Sequence, residues 1–154
     1  MKKIQLSRGK FAIIDDSDFD SVSQYKWSYD PKGYAFTNWG KRPNRRIMYL
    51  HRFLMSPVKG QECDHINQDK LDNRRENLRT CSRIENSRNR KVFKNLTGFK
   101  GVARHIRDGL FSARVLHKGQ IYSGGYHKTA LEAAKKYNEI ALKLHGEFAS
   151  LNNV

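Results

Sequence analysis

A polar, turn-prone segment that follows a short apolar run constrains the fold more than any other feature of the chain. The segment spans residues 67–73 and comes directly after Cys63–Ile66. Asn and Asp favour turns because their side chains hydrogen-bond to the nearby backbone, so the segment predicts a loop between two short strands. Ser82 and Glu85 stand at the spacing of a capping box and predict a helix that begins at Ser82. The expected order is strand, loop, strand, helix.

Two titratable residues stand side by side immediately before this loop. Successive side chains leave a strand on opposite sides, so Asp64 can hold a metal ion while His65 activates water. Asn86 and Asn89 lie on one face of the predicted helix, where an amide oxygen could complete the site. Phosphodiester cleavage needs a base and a divalent cation, and a hard cation such as Mg²⁺ suits oxygen ligands. The stretch predicts a metal-dependent nuclease centre.

Several short motifs stand together at consistent spacing around this centre. They are Leu50-His51-Arg52, Asp64-His65, Asp72-Asn73, Glu76-Asn77-Leu78 and Glu85-Asn86. Together they make residues 49–90 resemble the HNH nuclease family, in its phage and intron-encoded homing-endonuclease branch. The resemblance implies that His65 is the general base, that Asp64 is a metal ligand and that Asn77 orients the loop and the histidine through hydrogen bonds.

The helix residue that gives the family its third letter is an asparagine in this chain. The resemblance places Asn86 there as the second ligand of one divalent ion, Mg²⁺ or Mn²⁺, with Asn89 the less favoured occupant. The other asparagines of the loop, Asn67 and Asn73, are expected to be turn or capping residues because Asn favours such positions.

The net charge indicates the class of partner. Thirty Lys and Arg residues against fifteen Asp and Glu give a formal net charge of +15. Basic and acidic residues number ten and five in residues 1–50, eleven and six in 51–94, and nine and four in 95–154, so each segment is net +5. An even spread favours a long footprint along a polyanion. The predicted partner is double-stranded DNA, bound by a monomer with no obligatory protein partner.

The cysteines and the apolar runs argue against a zinc-binding, a disulfide-rich and a membrane protein. Cys63 and Cys81 are the two cysteines and form no Cys-x-x-Cys pair, so a structural zinc site and a disulfide framework are unsupported. The N-terminus has no apolar signal core, and no apolar run approaches the length of a membrane span. We expect a soluble cytoplasmic protein without a membrane partner, encoded by a phage in a bacterial host or by a bacterium.

The first fifty residues predict a small antiparallel sheet. Strands are expected at Lys3–Leu6, Phe11–Ile14, Trp27–Tyr29, Tyr34–Thr37 and Ile47–Phe53. Their aromatic residues are expected in the sheet core, with base stacking as the alternative. The acidic run at residues 15–20 lacks the glycine and glutamate of a calcium loop and predicts a turn and a helix start. A basic loop before the last strand predicts phosphate contacts from Lys41, Arg42, Arg45 and Arg46.

Residues 82–94 are strongly basic and have almost no apolar content after Ile84. Their cations are Arg83, Arg88, Arg90, Lys91 and Lys94. This composition predicts a helix that continues into a basic linker along the DNA backbone, with Arg88 and Arg90 as phosphate contacts. A solvated, charged helix face is also compatible with this composition.

The last third predicts a separate sheet with one helix. Strands are expected at Phe99–Arg104, Phe111–Lys118 and Gln120–Tyr126, and a capping box at Thr129–Glu132 opens a helix that ends at Gly146. Strand alternation predicts a covered and an open face. Phe111, Ala113 and Val115 are expected to face the helix, and the outward residues are expected to be Ser112, Arg114, Leu116 and Lys118.

Residues 97–152 carry a second set of motifs. They are Thr97-Gly98-Phe99-Lys100-Gly101-Val102, Ile121-Tyr122 with Gly124, Thr129–Ala134 with Tyr137, Leu144–Ala149 and Leu151-Asn152. The set resembles the plant ethylene-response-factor type of DNA-binding domain, also found beside HNH nucleases in phage. The resemblance implies DNA contacts from Lys100, Arg104, His105, Arg107, Arg114, Lys118, Gln120 and Tyr122. Ala103, Leu116 and Gln120 differ from the plant proteins, so the plant target sequence does not transfer.

The expected molecule is an α+β protein in two domains. Residues 1–94 form the nuclease domain, with a small β segment at 1–50 and a ββα-metal core at 51–94, and residues 95–154 form a three-stranded antiparallel sheet packed on one helix. The predicted function is a divalent-metal-dependent DNA endonuclease of the homing type, which nicks sites selected with the C-terminal domain. Two alternatives stay open: a DNA-binding regulator that retains the HNH region as scaffold, and a nuclease directed at DNA structure or at tRNA.

Overall fold

Short antiparallel hairpins and short helices build most of the chain, which confirms the predicted α+β class. The structure is a computed structural model that describes residues 1–89 and 95–154. These residues divide into two compact units, Met1–Asn86 and Ser87–Val154. The sequence predicts the division after residue 94. Residues 90–94 lie outside the part of the chain that the structure describes.

The first unit contains three antiparallel sheets of two or three strands. Its elements in chain order are β1 (Lys2–Gln5), β2 (Phe11–Ile14), α1 (Phe19–Ser23), β3 (Ser28–Tyr29), β4 (Ala35–Trp39), β5 (Arg46–Tyr49), α2 (Leu50–Met55), β6 (Glu62–His65), β7 (Leu78–Cys81) and the start of α3 (Arg83–Arg88). β1 pairs with β2, β4 pairs with both β3 and β5, and β6 pairs with β7. The predicted order of strand, loop, strand and helix is confirmed for β6, β7 and α3.

One predicted strand, Ile47–Phe53, is wrong in its second half. The strand β5 ends at Tyr49, and the chain continues as the helix α2. Leu50 and Leu54 are both buried, and their spacing of four places them on one face of a helix. That face packs into the core of the first unit, so burial decides the conformation of an apolar run that suits either element.

The aromatic residues of the first unit divide between core and surface. Trp27 is buried, and its Nε1 donates a hydrogen bond to the carbonyl oxygen of Val22 at 2.8 Å. Trp39, near the end of β4, is 44% exposed. The expected core role therefore holds for Trp27 and not for Trp39.

The N-terminal hairpin is hydrogen-bonded to the loop between β6 and β7. The backbone N–H of Ile13 donates to the carbonyl of Leu71, and the N–H of Asn73 donates to the carbonyl of Ile13, both at 2.8 Å. The acidic run forms a 3₁₀ turn that leads into α1, as predicted, and its Asp18 accepts hydrogen bonds from the guanidinium of Arg75. Ile13 and Asp18, which lie far earlier in the chain, thus hold the loop between β6 and β7 in place.

The second unit is one sheet covered on one face by one helix. Its elements are β8 (Val102–Arg104), β9 (Phe111–His117), β10 (Gln120–His127) and α4 (Ala130–His145), with β9 in the centre of the sheet. The predicted capping box is confirmed, because Thr129 and Glu132 exchange hydrogen bonds at the start of α4. The first strand begins at Val102 rather than Phe99, since Gly98 and Gly101 adopt positive φ and the segment turns there.

Strand alternation in the second unit follows the prediction with one correction. Ala113 and Val115 are buried against α4, and Arg114 and Leu116 are exposed on the opposite face. Ser112 also lies on that outer face by register, yet it is only 2% exposed. It is buried because Ala103 and Tyr126 flank it on the neighbouring strands. Within the described part of the chain, no helix combines the length and apolar character that a membrane crossing requires.

Candidate active site

The hairpin of β6 and β7 presents the two predicted site residues on opposite faces. In its antiparallel register Asp64 lies across from Arg79, and His65 lies across from Leu78. Both site residues are buried, at 8% and 4% exposure. Since side chains alternate along a strand, Asp64 shares its face with Glu62 and His65 shares its face with Cys63.

His65 is held by an asparagine that the sequence predicted only as a turn or capping residue. Its Nε2 lies 3.4 Å from Oδ1 of Asn73, and Nδ2 of Asn73 donates to the carbonyl of Lys70 at 3.3 Å. The second bond fixes which end of the amide faces the histidine. Because a carbonyl oxygen can only accept, Nε2 carries the proton of the neutral ring and the lone pair lies on Nδ1.

The rings of His51 and Tyr34 pack against the ring of His65. The centroid of His51 is 5.1 Å from that of His65, and the centroid of Tyr34 is 6.1 Å away. Burial lowers the pKa of His65, and this outweighs the opposing effects of Asn73 and Asp64. Burial and the nearby His65 lower the pKa of His51 to about 3. Both rings are therefore neutral at neutral pH, which is the state that a general base requires.

Asn77 fastens the loop between the two strands at both of its ends. Its Oδ1 accepts from the N–H of Asn67 at 2.9 Å, and its Nδ2 donates to the carbonyl of Asp72 at 2.7 Å. Its own carbonyl accepts from the N–H of Ile66 at 2.8 Å. These bonds hold the loop next to His65, and the positioning function that the family resemblance implies for Asn77 stays a prediction.

Replacing Asn77 by alanine is expected to slow DNA cleavage by about 10- to 100-fold, because a displaced loop shifts the base from its working geometry. DNA affinity measured in chelator is expected to stay within about twofold. Asn153→Ala, which removes an exposed amide near the C-terminus, is the matched control. Cleavage at the wild-type rate by a folded Asn77→Ala protein would show that the loop needs no such fastening.

Asp64 forms an ion pair that the sequence did not predict. Its Oδ2 accepts from Nε of Arg79 at 3.1 Å and from Nη2 at 2.9 Å, and both side chains are about one-tenth exposed. Arg79 is the residue directly across the hairpin, so strand register brings it there. A sequence pattern could reveal it only after that register is known.

Oxygen-bearing side chains lie on the Asp64 face of β6 and in contact with it. Glu62 and Asp64 share that face, and Oε2 of Glu62 accepts from Nδ2 of Asn86 at 2.6 Å. Among residues 1–89 and 95–154, no group of three or more His, Cys, Asp and Glu side chains is placed to hold a metal ion. Mg²⁺ commonly uses one or two carboxylates and completes its shell with water and substrate phosphate. The donor set fits a hard divalent cation of that kind.

Of the phosphate contacts predicted before residue 94, those in the first unit are exposed, whereas Arg88 belongs to the second unit and is half-buried. Arg42, Arg45 and Arg46 lie in and beside the turn between β4 and β5. Arg88, at the end of α3, is half-buried, and its carbonyl accepts a hydrogen bond from Nζ of Lys100 at 2.6 Å. Arg90 lies outside the described residues.

The predicted contacts of the second unit occupy both faces and the edge of its sheet. Arg104, Arg107, Arg114 and Lys118 are exposed, and His105 is half-buried. Arg114 lies on the outer face. Gln120 and Tyr122 alternate to the helix side, because the register pairs them with His117 and Val115. These two residues therefore lie on the face opposite to Arg114, and their contact with DNA stays a prediction.

Lys100 differs from the other predicted contacts because it is partly buried. Desolvation lowers the pKa of Lys100 to about 8. Its backbone N–H also donates to Oδ1 of Asn152. These bonds tie Lys100 to the framework of the second unit.

Comparison with known proteins identifies a family for this chain. A family model described as HNH endonuclease matches residues 55–88, which include the hairpin and its loop. An uncharacterized HNH endonuclease of Acanthamoeba polyphaga mimivirus is 33% identical over 158 aligned residues, which cover 97% of this chain and 79% of the viral protein. No solved structure matches the chain.

Proposed function

The chain belongs to the HNH endonuclease family and is a nuclease that acts on DNA, and from this we propose a divalent-metal-dependent endonuclease of the homing type. It nicks double-stranded DNA as a monomer, at sites selected with the second unit. The neutral, buried His65, adjacent in the chain to the carboxylate of Asp64, carries the proposal. The resemblance of residues 49–90 to intron-encoded nucleases supports the homing type.

His65 acts as the general base in this proposal. Its Nδ1 takes a proton from a water molecule, and the water oxygen forms a bond to phosphorus while one P–O ester bond breaks. The leaving oxygen takes a proton from solvent. Asn73 holds the ring through Nε2, and Asn77 holds the loop that carries Asn73.

Asp64 and Asn86 would hold the divalent cation, with Glu62 fixing the Asn86 amide. Such a cation, Mg²⁺ or Mn²⁺, neutralises charge on the scissile phosphate and on the leaving oxygen when it is bound. Arg79 balances the Asp64 carboxylate in the structure, so the buried charge of this carboxylate is compensated before a cation arrives.

Charge and architecture support DNA binding by both units. The even spread of the +15 charge suits a long contact with phosphates. The three strands of the second unit contain no acidic residue, and Arg114 lies on the outer face of their sheet. The outer face of the sheet, which α4 leaves open and which carries Arg114, is the side that would meet DNA.

Supercoiled plasmid tests the proposal directly. Incubation with Mg²⁺ or Mn²⁺ is expected to convert supercoiled molecules to nicked circles, and chelator is expected to stop the conversion because the phosphate charge is then uncompensated. The products are separated on an agarose gel over time. Cleavage in chelator at the same rate would contradict metal dependence. DNA binding without cleavage under every metal would favour the DNA-binding regulator that retains the HNH region as scaffold.

A further inference from the structure

Two large apolar side chains lie next to each other on the outer face of the second unit. Leu116 on β9 and Ile121 on β10 are directly opposite in the antiparallel register. They are 64% and 63% exposed. Directly opposite strand residues have Cβ atoms roughly 5 Å apart, so the two side chains form one small apolar surface. The helix α4 covers the other face of the sheet and leaves this one open.

The surroundings of this pair are polar and basic. The neighbouring cross-strand pair on the same face is Arg114 with Ser123. Further along the face, the ring of Tyr126 contacts His105 edge-on, with centroids 4.7 Å apart. The strands contain no Asp or Glu. An apolar pair inside a basic sheet face fits a ligand that is anionic along its edges and carries apolar groups between them.

Duplex DNA has this combination in its major groove. The groove is about 12 Å wide and admits a two-stranded β-ribbon, with phosphates along both sides. Among the four bases, thymine alone presents a methyl group there, and apolar side chains recognise it by contact. Successive bases rise by about 3.4 Å along a strand, so the Leu116 and Ile121 side chains together span one or two base pairs.

We propose that Leu116 and Ile121 recognise thymine methyl groups in the major groove and give the nuclease a preference for thymine at the contacted positions. This inference rests on the proposed function, since it requires the outer face to meet DNA. Arg114 anchors the face to phosphate or to a guanine edge, and the apolar pair distinguishes thymine from cytosine at neighbouring positions.

Uracil tests the proposal because it pairs as thymine does and lacks the methyl group. A duplex library with a randomised core is enriched on the full chain in chelator, where no cleavage is expected, and the enriched pool is amplified with either dTTP or dUTP. Fluorescence anisotropy then gives the Kd of each pool. The uracil pool is expected to bind about fourfold more weakly for each contacted methyl group, and roughly fifteenfold more weakly for two.

A variant pair assigns the effect to the two side chains. The double variant Leu116→Ser, Ile121→Ser is expected to bind the thymine pool more weakly and to bind both pools equally. Leu142→Ser removes a 55% exposed leucine from α4 and is the matched control, expected to keep the full difference between pools. Circular dichroism checks that each variant is folded.

The outcomes separate this inference from the proposed function. Equal binding of both pools by the wild-type chain would overturn methyl recognition, even if plasmid is cleaved, and this comparison needs no variant. A double variant that is folded and still prefers the thymine pool would also overturn it. Failure to enrich any sequence and failure to cleave plasmid would instead overturn the proposed function.

Discussion

Replacing His65 by alanine is expected to lower the rate of DNA cleavage by about 10²- to 10⁴-fold, the usual contribution of a general base. The imidazole is neutral because burial lowers its pKa, and Asn73 orients its Nδ1 to receive a proton. Alanine removes that acceptor. DNA affinity is expected to stay nearly unchanged, because phosphate contacts from cations elsewhere in the chain supply it.

The measurement is the initial rate of plasmid nicking in Mg²⁺, with Kd measured separately in chelator. His65→Asn fills more of the space than alanine and also lacks a base of suitable pKa, so it is expected to be as slow as His65→Ala. His127→Ala removes a half-buried histidine of the second unit and is the matched control. A folded His65→Ala protein that cuts at the wild-type rate would exclude His65 as the base, and loss of both binding and cleavage would make it a structural residue.

Gly101→Ala is expected to destabilise the second unit by about 3 kcal/mol or more, from overpacking together with a strained left-handed residue. A Cβ at this position would lie 2.1 Å from Cδ2 of Tyr137 and 2.5 Å from the carbonyl oxygen of Arg114. The tyrosine is buried in the core of the unit and the carbonyl belongs to the central strand, so neither can move aside without wider rearrangement.

A second glycine, Gly109, separates the two causes of destabilisation, which are overpacking and backbone strain. Gly109 has the same φ of +68° as Gly101, and a Cβ there would meet nothing within 4 Å. Gly109→Ala is therefore expected to cost only about 1 kcal/mol, from backbone strain alone. Urea unfolding followed by far-UV circular dichroism reports the free energy of unfolding, since α4 contributes sixteen helical residues. Equal losses for the two variants would contradict the close packing of Tyr137 on Gly101.

Local patterns in the sequence predicted most of the secondary structure and the central residues of the candidate site. Capping boxes, turn residues and strand alternation each depend on a few neighbouring positions, which is why Thr129 and Glu132 were placed correctly. The run at Ile47–Phe53 was partly wrong because a short apolar run fits a strand or a buried helix, and packing makes the choice.

Contacts between distant segments could not be predicted in the same way. Arg79 lies against Asp64 because of strand register, and His51 lies against His65 because α2 packs beside β6. His51 stood within a motif of the family resemblance, but nothing in the sequence indicated that its ring would contact the base. The partner of Asn73 on β2, Ile13, is sixty residues earlier in the chain.

That last contact limits how the catalytic residues can be moved between proteins. The family match begins at residue 55 and contains Asp64, His65 and Asn86, the residues proposed for the chemistry and its cation. Ile13 lies outside that match. Its backbone nevertheless hydrogen-bonds to Leu71 and Asn73, the residues on either side of Asp72 in the loop. A graft of residues 55–88 into another scaffold would carry the reactive groups without this support. We therefore expect the smallest portable nuclease to be the whole first unit, and gene fusions that exchange target specificity to join after it.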